Sequence, residues 1–275
     1  MMEFHPSAAV VTNVGGTKIV ADLCLEFGVK RFVMVSTDKA VNPTNVMGAS
    51  KRAAEIYVQS LFLKQLEKGV ENPTQFVTTR FGNVLGSNGS VVPLFKRQIE
   101  SGGPVTVTHK DITRYFMTIP EACSLVLEAG CTGNGGEIYI FDMGDAVKIY
   151  DLAEKMIRLS GKIPHKDIKI IETGLRQGEK LYEELLATSE NTIPTYHKKV
   201  MIAKVRTYDY DEIHPEIKDL LYTANKYVYP MEVVKLLKKM IPEFKSHNSK
   251  YEALDREFEA NLKTMQPVPT ANNSK

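Results

Sequence analysis

The chain has 275 residues, of which 43% are hydrophobic and 25% are charged, and its formal net charge is +2. These values are typical of a globular protein built as one large α/β unit or two lobes, and they exclude a broadly basic surface for nucleic acid or anionic membrane. Three cysteines, Cys24, Cys123 and Cys131, are too few for a disulfide framework and lack metal-binding spacing, so we predict buried thiols, no metal site and a reducing compartment.

The N-terminal residues carry no targeting signal that the sequence reveals. No apolar run reaches the ~18 to 20 residues of a membrane span, and the first residues lack the basic and apolar regions of a signal peptide. We therefore predict a cytoplasmic protein with no membrane segment in this chain.

In chain order, the first half alternates between helical and strand patterns. The helical patterns lie at 7–28, 46–68, 92–100 and 120–129. The strand patterns lie at 31–36, 75–80, 105–108 and 137–142. This alternation predicts a parallel sheet with crossover helices.

The second half predicts further short elements and then a polar tail. Helical patterns lie at 149–160, 179–186, 209–221 and 230–240, and strand patterns lie at 168–172 and 200–204. We predict a smaller lobe over 146–242 and a polar tail over 243–275. The composition of 264–275 predicts disorder at its end.

A glycine-rich phosphate loop is missing from the sequence. A dinucleotide fold normally opens with a strand and a Gly-x-Gly-x-x-Gly turn, and no such turn occurs here. The nearest sequence, at 133–136, lacks the third glycine and follows a helical pattern. We therefore expect the phosphate-cradling half of such a fold to be absent from this chain, and the chain alone to bind NAD(P) poorly.

The run at 36–51, STDKAVNPTNVMGASK, carries the strongest functional signal. Its first four residues are polar and end a predicted strand, which is where open parallel sheets bind ligands. Met47 and Lys51 are four residues apart, so they share one face of the following helix. Taken alone, the run also fits a helix start capped by Asn42 or Thr44 with a solvated Lys51.

This run resembles the active-site stretch of UDP-N-acetylglucosamine 4,6-dehydratases, which belong to the extended short-chain dehydrogenase/reductase superfamily. Further stretches agree in order at 80–84, 89–93, 112–117 and 174–180, and the resemblance covers roughly 2–240. It implies a partial Rossmann-like doubly wound parallel sheet with a smaller C-terminal α/β lobe. On this basis 1–145 is the C-terminal part of an NAD(P)-binding domain, and 146–242 is a substrate lobe with contributions from 84–116.

The resemblance implies catalytic roles for three residues at the strand end. The family oxidises the sugar at C4, eliminates water across C5 and C6, and returns the hydride to C6. Asp38 is then the acid for the C6 hydroxyl, Lys39 is the base at C5, and Thr37 bonds the C4 oxygen. Asp38 must carry a proton while Lys39 is neutral, which an adjacent buried pair can approach by sharing one proton. A simple surface ion pair is the competing interpretation.

Met47 departs from the Tyr-x-x-x-Lys pattern of the wider superfamily, a departure that one branch of the dehydratases shares. A thioether has no proton to exchange, so Met47 cannot replace the tyrosine base. Either Thr37 or a water relays the C4 proton, or another residue is the base, or oxidation is slow. We favour the relay. Lys51, which matches the lysine that binds the nicotinamide ribose, keeps its predicted role.

The remaining site residues follow from the same resemblance. The predicted contacts to NAD or NADP are Asn13, Ser36, Lys51 and Phe81. The predicted contacts to a UDP-sugar are Asn83, Ser90, Val91, Arg114, Arg176 and Glu179. Backbone amides at a helix start and guanidinium groups are suited to a diphosphate, whereas each residue taken singly also fits a turn or a solvated charge.

The sequence therefore predicts a nucleotide-sugar 4,6-dehydratase of surface polysaccharide biosynthesis. The first alternative is a non-catalytic sugar-nucleotide binding fragment. The second is a UDP-sugar 4-epimerase or reductase, which Asp38 and Lys39 disfavour because an epimerase needs no C5 base and C6 acid. We predict no nucleic-acid partner, and the resemblance allows a homo-oligomer, since relatives often form dimers or hexamers.

Overall fold

The computed structural model describes residues 1–87, 89–184, 191–226 and 229–265. The helices are α1 (Pro6–Val10), a π-helical turn (Val11–Gly15), α2 (Gly16–Glu26), a 3₁₀ turn (Asp38–Ala40), α3 (Val46–Glu67), α4 (Val91–Glu100), α5 (Ile119–Thr132), α6 (Ile149–Leu159), α7 (Tyr210–Asn225), α8 (Pro230–Met240) and α9 (Glu252–Met265). The strands are β1 (Arg31–Thr37), β2 (Gln75–Phe81), β3 (Asn83–Val84), β4 (Val105–Val107), β5 (Thr113–Arg114), β6 (Phe116–Met117), β7 (Ile138–Phe141), β8 (Val147–Lys148), β9 (Ile170–Glu172), β10 (Asn191–Pro194) and β11 (Val200–Lys204).

The main sheet has five strands in the order β1-β2-β7-β11-β10. Strands β1, β2 and β7 are parallel, whereas β11 and β10 are antiparallel to their neighbours. The register pairs Thr37 with Phe81, so the carboxyl ends of β1 and β2 lie side by side. The predicted mixed α/β fold with a parallel sheet is therefore confirmed, and the polar run after β1 lies next to the loop after β2.

Helix α3 lies at the centre of the largest hydrophobic core. It contacts β1 and β2 on one side, and α2, α7 and α8 on the other. Small residues such as Ala49 and Ala53 are fully buried and allow this close packing on several faces. A helix enclosed in this way is fixed in position, so the residues at its N-terminal end are held firmly against the end of β1.

A second layer of elements builds the lobe beside the sheet. Strands β4 and β9 pair in parallel, and α4 and α6 pack against β4. The apolar centre of the lobe includes Phe95, Ile112 and Ile157, all of which are buried. Strand β5 pairs with β8, and this pairing brings Arg114 to the side of the lobe that faces the end of β1.

The helix predicted at 179–186 is wrong over residues 179–184, which form an irregular segment. The carbonyl of Leu181 accepts a hydrogen bond from the amide of Thr113 at 3.1 Å, and Lys180 donates to the carbonyl of Val41 at 2.9 Å. These tertiary bonds replace the hydrogen bonds of a helix. Residues 185 and 186 lie outside the described residues.

The C-terminal segment is more ordered than the predicted polar tail. Phe244, Tyr251 and Leu254 are buried in the main core, and α9 extends to Met265. The Tyr251 hydroxyl donates to the carbonyl of Glu3 at 3.2 Å, which ties the two ends of the described chain together. The disorder predicted for 264–275 falls, apart from the last two residues of α9, outside the described residues.

One further expectation differs from the structure, and another stays a prediction. Cys24 is buried as predicted, but Cys123 and Cys131 are exposed on α5, which has one face open to solvent. The continuous helical segment Pro6–Glu26 is long and apolar enough to cross a membrane by length and composition alone, and a third of it is buried in the fold. The prediction of no membrane segment therefore stays a prediction.

Candidate functional site

The predicted catalytic run folds into a tight turn at the end of β1. The Thr37 oxygen accepts a hydrogen bond from the Lys39 amide at 3.4 Å, and the Thr37 hydroxyl donates to Asp38 Oδ1 at 2.9 Å. Lys39 Nζ donates to the same carboxylate oxygen, also at 2.9 Å. The three residues therefore converge on one oxygen atom, which is the arrangement that proton exchange among them requires.

Asp38 is buried in a way that a surface ion pair is not. Its side chain is fully inaccessible to solvent, and its second oxygen, Oδ2, is buried without a hydrogen-bond partner among the described residues. A Cβ at Gly82 would lie 3.1 Å from Oδ2, so a glycine here leaves room for the carboxyl group. Buried carboxylate oxygens usually have a hydrogen-bond donor, so this oxygen without one among the described residues marks Asp38 as a candidate functional residue.

Lys39 lies between two carboxylates, and the second was not predicted from the sequence. Its Nζ atom is 3.8 Å from Oε1 of Glu183, whose side chain is 3% exposed. Oε2 of Glu183 is buried without a hydrogen-bond partner among the described residues. Burial raises the pKa of Glu183 and the charge of Asp38 adds to this, whereas Lys39 and Arg114 lower it.

A weak signal for Glu183 was present in the sequence. It is an acidic residue in the otherwise partly apolar run LYEELL at 181–186. A helix at this position would have placed one of the two adjacent glutamates, Glu183 or Glu184, in solvent, and the sequence alone does not distinguish them. The structure buries Glu183 and leaves Glu184 exposed, hydrogen-bonded to Asn42 at 2.8 Å.

Met47 and Lys51 lie on the first turns of α3. Met47 lines the same cavity as Lys39 and Glu183. Burial lowers the pKa of Lys51, and the charge of Glu55 opposes this effect. Among the described residues, Lys51 makes no hydrogen bond and no ion pair. A half-buried cation without such a partner fits the ribose hydroxyls of a nicotinamide cofactor.

The other three residues predicted to contact the cofactor, Asn13, Phe81 and Ser36, lie in three different environments. Asn13 lies in the π-helical turn, a feature often found at functional sites, and its amide donates to the Ser50 hydroxyl at 2.9 Å. Phe81 ends β2 and packs against the apolar cluster beside β7. Ser36 is 4% exposed and donates to Glu55 at 2.6 Å. The hydroxyl of Ser36 is thus directed into the core, and its predicted contact with the cofactor stays a prediction.

A buried ionic network lies beneath the site. Glu55 on α3 accepts hydrogen bonds from Arg80 on β2 at 2.9 and 2.7 Å, and from Arg52 at 3.1 Å. Burial raises the pKa of Glu55, but the attraction and hydrogen bonds of Arg80, the charge of Arg52 and the Ser36 bond outweigh it and lower the pKa to about 2. The network joins α3 to the sheet directly under the catalytic run.

All six residues predicted to bind the UDP-sugar line one cavity of about 160 Å³. Helix α4 begins there at Val91. The hydroxyl of Ser90, the residue before it, is buried without a hydrogen-bond partner among the described residues and does not cap the helix. The first amides of α4 are therefore open to an anion. Arg114 is 7% exposed and pairs with Glu179 at 3.2 Å, while Arg176 is exposed.

A second cavity of about 370 Å³ adjoins the first. It is lined by Lys39, Met47 and Glu183, and it shares Arg114, Arg176 and Glu179 with the first cavity. The shared residues make the two cavities parts of one site. The turn formed by Thr37, Asp38 and Lys39, here called the charged turn, lies at one part, and the start of α4 lies at the other. One groove therefore brings together Lys39, the side chains of Arg114 and Arg176, and the start of α4.

Comparisons with known proteins show a matching family and several similar relatives. The family described as polysaccharide biosynthesis protein matches residues 1–205. Capsular polysaccharide biosynthesis protein CapD from Staphylococcus aureus is 54% identical over 226 residues, which are 82% of this chain and 37% of that protein. UDP-N-acetylglucosamine 4,6-dehydratase (inverting) from Campylobacter jejuni is 37% identical over 190 residues, which are 69% of this chain and 53% of that protein. UDP-glucose 4-epimerase from Rickettsia rickettsii is 34% identical over 248 residues, which are 90% of this chain and 66% of that protein.

Solved structures agree with the fold. The X-ray structure of Pen from Bacillus thuringiensis has a TM-score of 0.66 and 33% identity, and the match covers 80% of this chain and 71% of that one. The structure of dTDP-glucose 4,6-dehydratase from Bacillus anthracis in complex with NAD has a TM-score of 0.53 and 21% identity, with 64% and 59% covered. The second likeness concerns the fold alone. The chain spans only 37% of the length of CapD, and so it corresponds to a part of that longer relative.

Proposed function

Because the chain belongs to the polysaccharide biosynthesis protein family, we propose that it is a nucleotide-sugar 4,6-dehydratase acting on UDP-N-acetylglucosamine. The product would be a UDP-4-keto-6-deoxy-N-acetylhexosamine. The observation that carries this proposal is the contact of Lys39 Nζ with Asp38 Oδ1 at 2.9 Å, in a carboxyl whose other oxygen is buried without a partner among the described residues. Elimination of water needs a base and an acid side by side, and this pair supplies both.

Each residue of the charged turn has a defined task in this proposal. Lys39 in its neutral form removes the proton at C5, and protonated Asp38 gives its proton to the departing C6 hydroxyl. Thr37 bonds the C4 oxygen and keeps Asp38 oriented through its bond at 2.9 Å. Removal of water from the groove strengthens these interactions, because charges attract more strongly at low dielectric.

A nicotinamide cofactor would supply the transient acceptance and return of a hydride. Lys51 and Asn13 are the residues that would hold it, and the lowered pKa of Lys51, caused by burial, supports this assignment. One solved structure with a similar fold is a dTDP-glucose 4,6-dehydratase in complex with NAD. We propose NAD or NADP, and a UDP-sugar whose diphosphate lies at the start of α4 near Arg114 and Arg176.

The test of this proposal is direct. The chain is incubated with UDP-N-acetylglucosamine and NAD⁺ or NADP⁺, and the nucleotide sugars are analysed by mass spectrometry and NMR for the loss of one water and a C4 ketone. Asp38→Asn and Lys39→Met are each expected to lower product formation by about 100-fold or more. Unchanged activity in both variants would contradict the proposal.

An epimerase is the second candidate, because the epimerase relative matches 90% of this chain, more than the dehydratase relative does. The same incubation distinguishes the two, since an epimerase gives the C4 epimer of unchanged mass and no ketone. A third outcome is also informative. Product from a form extended at the N-terminus, but none from this chain, would identify these residues as a sugar-nucleotide binding module that needs further residues for catalysis.

A further inference from the structure

The proposed dehydration requires that every proton removed from the sugar is accounted for by a group at the charged turn or near it. Oxidation at C4 removes a hydride, with a nicotinamide cofactor as its acceptor, and a proton from the hydroxyl oxygen. Elimination then moves the C5 proton to Lys39 and the Asp38 proton to the leaving water. The hydride returns to C6 and Lys39 returns its proton to C5. After one turnover Asp38 has lost a proton, and the proton of the C4 hydroxyl must have been kept to replace it.

The Asp38 and Lys39 pair cannot keep that proton itself if it shares one proton at the start. In that state Asp38 is protonated when Lys39 is neutral, so a relay from the C4 hydroxyl through Thr37 ends on an acid that is already occupied. Met47, which lines the cavity beside them, has no exchangeable proton. The cycle therefore needs a third group, either a side chain or a water, that accepts a proton and can return it to the pair.

We propose that Glu183 is this third group: its carboxylate takes up the proton of the C4 hydroxyl and returns it through Lys39 to Asp38. The inference rests on the proposed dehydratase function. Three observations carry it: Glu183 lines the cavity with Lys39 and Met47, its Oε1 lies 3.8 Å from Lys39 Nζ, and its Oε2 is buried without a partner among the described residues. The O–H bond at C4 breaks, an O–H bond forms on Glu183, and no further reactant is needed.

The charges around Glu183 are suited to this exchange. Lys39 and Asp38 face it from the end of β1, Arg114 faces it from β5 at 3.8 Å, and Lys180 lies on its own segment. Lys39, Arg114 and Lys180 are cations that favour the charged form of Glu183, whereas the carboxylate of Asp38 favours its protonated form. Burial raises the pKa of Glu183, which makes its carboxylate a better proton acceptor than an exposed one.

The kinetic test separates oxidation at C4 from exchange at C5. In Glu183→Gln we expect the formation of reduced nicotinamide in a single turnover to slow by about 100-fold or more, the usual effect of losing a general base. Exchange of the C5 proton with deuterated water, measured by NMR on added 4-keto-6-deoxy product, needs only Lys39 and should stay near the wild-type rate. Glu184→Gln is the matched control, since Glu184 is the exposed neighbour, and it should change neither rate.

Other results would overturn the inference. Oxidation at the wild-type rate in Glu183→Gln would mean that the pair starts without a proton and is filled through Thr37. Parallel loss of oxidation and C5 exchange would assign Glu183 a purely structural role.

A second measurement does not depend on turnover. In the chain labelled with ¹³C at glutamate carboxyls, the resonance missing from Glu183→Gln should titrate above the ordinary range of glutamate. If the Glu183 carboxyl titrates in the ordinary range of glutamate, only its proton-accepting role is contradicted. If wild-type protein forms no product, the proposed function itself is contradicted.

Discussion

Met47 is the residue at which the run 36–51 departs from the Tyr-x-x-x-Lys pattern that it otherwise resembles. Its thioether lines the cavity next to Lys39 but has no proton to exchange. We expect Met47→Ala to keep turnover within about threefold of wild type, because no proton step passes through this side chain. Steady-state rates measured beside Asp38→Asn check this. A loss as large as that of Asp38→Asn would make Met47 essential to the chemistry.

Glu55 shows how a buried charge is stabilised by its partners. Glu55→Gln leaves Arg80 and Arg52 buried with a weaker partner, and we expect it to lower the free energy of unfolding by about 3 to 5 kcal/mol. Urea unfolding measures this. The control is Glu67→Gln on the same helix, where an exposed carboxylate should change stability by less than about 0.5 kcal/mol.

The same carboxylate predicts a dependence of stability on pH. The pKa of Glu55 is lowered from 4.5 in the unfolded chain to about 2 in the folded protein. Its contribution to stability is therefore complete above pH 4.5 and is lost as the pH falls towards 2. In Glu55→Gln this part of the acid-induced loss should disappear. An identical pH profile in the two proteins would contradict the assignment.

At the scale of elements, the contact between the 3₁₀ turn and α3 positions the catalytic run. A Cβ at Gly48 would lie 2.0 Å from the carbonyl oxygen of Lys39, so Gly48→Ala must displace the turn. We expect a loss of about 1 to 3 kcal/mol in stability and a parallel fall in turnover. Gly16→Ala is the control, because its helical backbone has nothing within 4 Å, and it should be neutral or stabilise by up to about 1 kcal/mol. Equal effects of the two substitutions would contradict this view of the turn.

Elements with strong local patterns were predictable from the sequence. The apolar run at β1 and the long pattern of α3 predict the observed order of strand and helix. The run 36–51 is contiguous, so its residues lie together in the candidate site without any distant contact. The helix expected at 179–186 failed because its signal is only local. Hydrogen bonds from Thr113 and to Val41, both far away in the sequence, hold that backbone in another conformation and bury Glu183.

The C-terminal segment was misjudged for a related reason. Its average composition is polar, which predicts a solvated tail. Only a few side chains, Phe244, Tyr251 and Leu254, enter the core, and an average over the segment hides them. The antiparallel strands β10 and β11 at one side of the sheet also depend on pairing between strands, which a single sequence does not reveal.

At the scale of the whole molecule, the C-terminal segment closes the main core. Glu3 accepts from the Val46 amide at 2.9 Å and from the Ser249 hydroxyl at 2.7 Å, so it links α3 to this segment. Removal of 243–275 should lower the free energy of unfolding by more than about 3 kcal/mol, because several large apolar side chains lose their burial. A urea midpoint equal to that of the full chain would contradict this prediction.

Strand β1 carries the catalytic run at the side of the sheet, and among the described residues β2 is its only strand neighbour. The amide protons that β1 directs away from β2 therefore have no strand to protect them, and they should exchange with deuterated water much faster than those of β2. Any polypeptide segment that settles along this side would slow that exchange. Deuterium uptake at 31–37 therefore reports whether another polypeptide segment binds along β1, next to the candidate site.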